Sequence, residues 1–179
     1  MDAKTLVFMN PKTPAESKTV LTDLVLPSDT NALGNLFGGE LLSRMDRAAC
    51  IAAERHAGNV VVTASVNHVH FNKAVPLGSV LTLEAKVSRS FNTSIKVFID
   101  VWIEPRGSSE LRKKANEAIY TFVAVDSTGK PIAVPPVEPQ TELEKLRFDA
   151  ALRRRQLSLI LAKKLLPGDA TELKALFEE

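Results

Sequence analysis

"NLFGGELLSRMDRAAC", residues 35–50, runs a glycine turn into a segment with helical spacing. From about residue 39 to 57, Leu42, Met45, Ala49, Ala52 and Ala53 recur three and four apart, the stripe of an amphipathic helix, and Gly58 is placed to end it. The stripe is poor in bulk, since Ala48, Ala49, Ala52 and Ala53 allow close approach to another layer. Asp46 falls within it. An unpaired carboxylate is costly to bury, so the reading predicts a compensating partner for Asp46.

Outward from this helix the period changes to two. The segment 18–27 reads as a strand stopped at Pro27, and 28–39 as a loop of turn formers. Strands follow at 59–71, 80–88, 95–104 and 117–125. In 80–88 Leu81, Leu83, Ala85 and Val87 alternate with Thr82, Glu84 and Lys86. The later connections are hairpin-like, which predicts an antiparallel sheet. Strand, helix, then four strands, with the helix alanine-rich, predicts an α+β architecture: a sheet wrapped around one long helix, the hotdog arrangement. Such a unit leaves a sheet edge and a helix flank open, so pairing of two copies is expected.

The domain is expected over 18–130, preceded by a flexible arm (1–17). A connector at 131–140 has four prolines in ten residues. A helical extension (141–179) follows, with Thr141 and Glu144 spaced as a capping box. The 179 residues carry 23 Lys+Arg against 21 Asp+Glu; this net charge of +2 is too small to argue for nucleic acid, and none is expected as partner. With one cysteine there is no internal disulfide, which suits a reducing compartment. No apolar run matches a signal peptide or a membrane span, and the expectation is a cytoplasmic protein with no membrane partner.

Gly38 and Gly39 start the central helix, where free N–H groups favour negative charge and can receive an oxyanion. Asp46 lies about two turns on, roughly 10 Å along the axis. One helix cannot easily bring both groups to one reacting carbon, whereas two antiparallel helices across a dimer can. Asn31, in the preceding loop, offers an amide to orient water or a carbonyl.

The stretch "LPSDTNALGNLFGGELLSRMDRAA" resembles the signature of hotdog-fold acyl-CoA thioester hydrolases of the YciA and cytosolic acyl-CoA hydrolase type. "VVTASVNHVHFNKAVPLGS", "RSFNTSIKV" and "FVAVDSTGKPIAVPPVEPQTELEK" follow in matching order, and the resemblance covers about residues 18–150. It implies hydrolysis of acyl-CoA to fatty acid and CoA without metal or other cofactor. It implies sites shared across dimers that assemble further, as a trimer of dimers (a homohexamer). It makes Asp46 the catalytic carboxylate, Asn31 its partner across the subunit boundary, and the Gly39 N–H the oxyanion donor beside Gly38. Asp46 could act as general base or attack the carbonyl directly. For the CoA phosphates the first candidate is Arg89, with Thr93 and Ser94 beside it; Lys73, Arg106, Lys113 and Lys114 are weaker ones. Val66, Asn67 and Phe71 are candidate lining residues along the pantetheine.

Other readings weigh less. A hotdog dehydratase needs a His with an acidic partner, and none stands in the glycine loop or first helical turns. A non-catalytic acyl-CoA-binding module would not need Asp46. Cys50 reads as a small buried residue, since His56 lies on another helix face. His68 and His70 share a strand face but lack an evident third metal ligand. The "RRR" at 153–155 reads as a solvated face, or as a contact to CoA phosphates of a neighbouring subunit.

Overall fold

The computed structural model describes residues 9–106 and 112–177. Readings of residues 1–8 and 107–111, and of the His68 side chain, lie outside the described residues. The elements are α1 (Pro14–Ser17), β1 (Thr19–Leu24), α2 (Gly38–Ala57), β2 (Val61–His70), β3 (Val80–Ser90), β4 (Ser94–Glu104), β5 (Lys113–Ala124), α3 (Glu142–Leu161) and α4 (Thr171–Lys174). The strands form one antiparallel sheet in the order β1-β3-β4-β5-β2.

Alternation along β3, β4 and β5 decides which face is the core. Leu83 pairs with Val101, Ala85 with Ile99 and Val87 with Val97, while Ile95 pairs with Phe122, Val97 with Tyr120 and Ile99 with Ala118. All of these are buried, and α2 packs on them through the fully buried Met45, Ala48, Ala49, Ala52 and Ala53. Alanines leave no bulk between helix and sheet, so the strands pack close to the helix. Gly58 ends α2 in the left-handed conformation (φ 68°), which a side chain would strain.

The opposite face of the sheet is covered by α3. Its N-terminus carries the expected capping box: the Glu144 N–H donates to Thr141 Oγ1 at 3.2 Å and the Thr141 N–H to Glu144 Oε2 at 3.2 Å. Outward-facing side chains of the sheet hold the helix by polar contacts. Lys86 pairs with Glu144 at 3.2 Å, and Arg147 pairs with Asp100 at 2.8 Å and lies 3.8 Å over the Phe98 ring.

Residues 9–17 depart from the loose arm expected there. The Lys12 N–H donates to Pro136 O and the Glu138 N–H to Lys12 O, both at 2.9 Å, so this segment pairs with the proline connector. Lys12 Nζ also donates to the carbonyls of Arg55 and His56 at the end of α2. Ser17 is buried, with its Oγ accepting from the Val87 N–H at 2.9 Å. Orphan carbonyls at a helix C-terminus attract a cation, and a single Lys is too weak a pattern to reveal this in sequence. β5 begins at Lys113 rather than 117, and within the expected helical extension α3 runs over Glu142–Leu161.

Candidate active site

Asp46 does not lie in the buried stripe. That stripe is Leu41, Met45, Ala48, Ala49, Ala52, Ala53 and His56, whereas Leu42, Asp46 and Cys50 form the adjacent half-buried row. Leu42 and Cys50 are as apolar as the stripe beside them, so spacing alone does not separate the two rows. The carboxylate therefore stands on the helix flank, in an open cleft lined by Leu42, Ser43, Thr63, Val66, Val69 and Tyr120.

Two polar contacts fix this cleft. Thr63, on β2, donates its hydroxyl to Asp46 Oδ1 at 2.9 Å. Tyr120, on β5, donates its hydroxyl to the Leu42 carbonyl at 3.0 Å, one turn before Asp46. Burial, with the Asp46 carboxylate adding to it, pushes the Tyr120 phenol up to about 12. Tyr120 is thus a neutral donor locked to the helix. Its ring, with Leu42, Val66 and Val69, leaves the cleft largely apolar around one carboxylate.

A second cleft opens at the start of α2, lined among others by Asn31, Gly38, Phe71, Lys73 and Asn116. The Asn31 side-chain oxygen accepts from the Leu33 N–H at 2.9 Å and the Asn35 N–H at 3.2 Å. Its NH2 is then the group it can offer. A Cβ on Gly38 would stand 3.3 Å from Phe71 Cζ, so glycine permits the ring to lie against the helix start. A Cβ on Gly39 would meet nothing within 4 Å: the space in front of this turn is open. Arg44 anchors the intervening loop, pairing with Asp29 at 2.9 Å, Asp23 at 3.0 Å and Glu40 at 3.2 Å.

One copy therefore brings Asp46 and Val66 together, and Asn31, Gly38 and Phe71 together, but keeps the two groups in separate clefts. Asn67 is half-buried and lines neither. Arg89, expected as a phosphate contact, packs against α3: its Nη1 donates to the Phe148 carbonyl at 3.1 Å and the guanidinium lies 3.8 Å over the Phe148 ring. Ser94 Oγ accepts from Arg155 Nη1 at 3.2 Å, and the Thr93 carbonyl accepts from the Ala124 N–H. Lys114 pairs with Asp100 and Glu117, and Lys73 lines the second cleft. Burial raises the Cys50 thiol pKa. Among the described residues no group of three or more His, Cys, Asp or Glu could hold a metal. The sequence reading missed Thr63 and Tyr120. Period-two alternation places Thr63 on a strand face, but nothing local to it points at residue 46.

The family model of the thioesterase superfamily matches residues 33–110. The uncharacterized acyl-CoA thioester hydrolase YkhA of Bacillus subtilis is 42% identical over 139 residues, covering 78% of this chain and 80% of its own. This chain belongs to the acyl-CoA thioester hydrolases of the thioesterase superfamily. Acyl-coenzyme A thioesterase 11 of Mus musculus is 40% identical over 142 residues, 79% of this chain, but the match spans only 24% of the mouse protein. Among solved structures, an apo-hexameric acyl-CoA thioesterase superposes with a TM-score of 0.82 at 39% identity, over 86% of this chain and 98% of its own. The acyl-CoA hydrolase of Staphylococcus aureus, solved with butyryl coenzyme A, coenzyme A and coenzyme A disulfide, superposes with a TM-score of 0.78 at 36% identity, over 86% and 94%. That enzyme has also been solved as three Ala variants, at an Asn, an Asp 15 positions later and a Thr 17 positions after the Asp. These hydrolases share this chain's hotdog fold, an antiparallel sheet packed on one long helix. No described helix is long and apolar enough to cross a membrane.

Proposed function

We propose that this chain hydrolyses acyl-CoA thioesters with Asp46 as the catalytic carboxylate, in a homo-oligomer whose minimal unit is a dimer. The observation that carries the reading is the Asp46 carboxylate, held by Thr63 at 2.9 Å within an apolar cleft. Asn31, Asp46 and Thr63 stand at the two spacings of the residues replaced in the S. aureus variants, which supports the assignment.

A thioester carbonyl is electrophilic and its thiolate leaves readily, so a carboxylate suffices without a Ser–His pair. Asp46 takes a proton from water, the resulting hydroxide adds to the carbonyl carbon, and the C–S bond breaks; the proton on Asp46 passes to the departing thiolate, which releases CoA and the acid and restores the carboxylate. In the alternative route Asp46 adds to the carbon itself and water cleaves the anhydride. Neither route calls on a metal or organic cofactor. The oxyanion goes to the N–H of Gly39 in the second copy, beside Gly38, and the Asn31 NH2 of that copy orients water or carbonyl. This arrangement accounts for the two clefts that one copy keeps apart. Val66 and Phe71 flank the pantetheine, and the hexameric relatives support a trimer of dimers. A cytoplasmic location fits a CoA substrate.

The test is thiol release over a series of acyl-CoA chain lengths, with Asp46→Ala and Asp46→Asn alongside. Full activity in both variants overturns the mechanism, and single turnover in heavy-oxygen water separates the routes, since only the anhydride route labels Asp46.

A further inference from the structure

The Asp46 cleft has a direction, which follows from how β2 lies along α2. Thr63 reaches Asp46, Tyr120 reaches Leu42 from the position paired with Val66, and the Phe71 ring lies against Gly38. Going from residue 63 to 71 along β2 and the turn after it therefore passes α2 from Asp46 back to Gly38. Leu42 and Ser43, about one turn before Asp46, stand in the same cleft with Val69 and Tyr120. Leu42 is half-buried and Ser43 exposed, so both side chains can be touched from the cleft. From Asp46 toward the helix start the lining is apolar except for the small Ser43.

Symmetry decides where this cleft leads. The site proposed above sets Asp46 of one copy opposite Gly39 of the other, and a two-fold axis repeats that pairing with the roles exchanged. The midpoint between positions 39 and 46 falls between Leu42 and Ser43, so these residues of both copies meet at the axis. Measured along the helix, the axis lies roughly 5 Å from Asp46. The second cleft, with Asn31, Lys73 and Asn116, opens beyond the start of α2 and is the polar one, suited to the CoA arm. Across the dimer, that arm leaves past Gly39 of the second copy. The acyl chain then leaves the thioester carbon the opposite way, over apolar surface and toward the axis.

We propose that Leu42 and Ser43 of the two copies form a portal on the two-fold axis that sets the acyl chain-length profile of this hydrolase. The inference rests on the pairing of Asp46 with Gly39 across the dimer. Acyl chains shorter than roughly 5 Å end before the axis. Longer ones pass between the two Leu42–Ser43 pairs and enter the twin cleft. Ser43 is the smallest side chain in the cleft lining, and its size leaves the portal open.

The experiment is thiol release from butanoyl-CoA and from dodecanoyl-CoA, read as the ratio of kcat/KM for the long substrate to that for the short one. In Ser43→Phe this ratio is expected to fall at least about tenfold, the low end for a methylene in an apolar pocket. In Leu42→Ala, which widens the portal and keeps the backbone carbonyl that Tyr120 holds, the ratio is expected to rise. Should light scattering show that Ser43→Phe does not assemble, Leu42→Ala decides alone. An unchanged ratio in the assembled variants overturns the portal and leaves the Asp46 reading intact. A wild type that releases no thiol from either substrate overturns both. The position of the axis is read without turnover. In a Cys50→Ser background, a short bis-maleimide is expected to link two copies through Ser43→Cys. It is not expected to link them through Arg47→Cys, an exposed position whose two copies stand roughly 14 Å apart along the helices. No link through Ser43→Cys, or equal linking through both, overturns the portal.

Discussion

Thr63→Val removes the hydroxyl that donates to Asp46 Oδ1 at 2.9 Å and leaves side-chain volume nearly unchanged. A hydrogen bond to a charged group contributes about 1.5–3 kcal/mol net, and the exposure of Thr63 puts this one near the low end. Because about 1.4 kcal/mol is tenfold in rate, kcat for thiol release is expected to fall roughly tenfold. Asp46→Asn removes the carboxylate itself and is expected to cost about 10²–10⁴, the range for a general base. Thr63 acts through Asp46, so the double variant should be no slower than Asp46→Asn alone. That non-additivity distinguishes a positioning role from an independent one. Thermal unfolding checks that Thr63→Val still folds, with a loss of stability no larger than the roughly 1.5 kcal/mol of that bond. Undiminished kcat in Thr63→Val, or a double variant slower by the product of the two single effects, refutes the reasoning.

Gly39→Ala should fold as wild type, because its Cβ meets nothing within 4 Å, yet kcat should drop as the methyl intrudes on the space before the helix N–H groups; unchanged turnover would remove Gly39 from the oxyanion site. His56 is buried with Nε2 at 2.8 Å from the Pro135 carbonyl, and burial holds its pKa below 6.5. The unfolded chain therefore binds the proton first as pH falls, so Tm should decline from pH 7 to 5, and this slope should flatten in His56→Gln. An identical slope in both proteins excludes His56 as its source. Arg44→Met frees Asp23, Asp29 and Glu40 at once, and limited proteolysis should then cut the 28–37 loop faster than in wild type.

What the sequence revealed tracks how local each signal is. The order of elements, the capping box at Thr141 and the αL stop at Gly58 rest on short-range patterns, and the structure carries all of them. Asp46 is legible as a polar residue among apolar ones, but its row is not, because Leu42 and Cys50 on that row are as apolar as the neighbouring stripe. Thr63 and Tyr120 were invisible for a different reason. Each meets α2 through a side-chain hydrogen bond from a strand, across 17 positions for Thr63 to Asp46 and 78 for Tyr120 to Leu42. The embrace of Lys12 and the connector fails similarly, since an acceptor at the end of α2 has no signature at residue 12. Arg89 shows a related effect. A cation in a hairpin reads as ligand-seeking, yet here aromatic rings and the Phe148 carbonyl hold it to α3.

The separation of the two clefts has a further consequence for how the site can be dissected. If Asp46 of one copy works with Asn31 and Gly39 of another, each dimer holds two sites, and each site draws on both chains. Mixing Asp46→Asn chains with Asn31→Ala chains then produces heterodimers in which one site carries both defects and the other carries neither. Activity should return to about half of wild type in such heterodimers, although each parent alone is slow. A site built within one copy predicts the reverse: every site in the mixture keeps one defect, and exchange of subunits restores nothing. Co-expression with two affinity tags isolates the mixed species, and the thiol-release rate per dimer decides between the two arrangements.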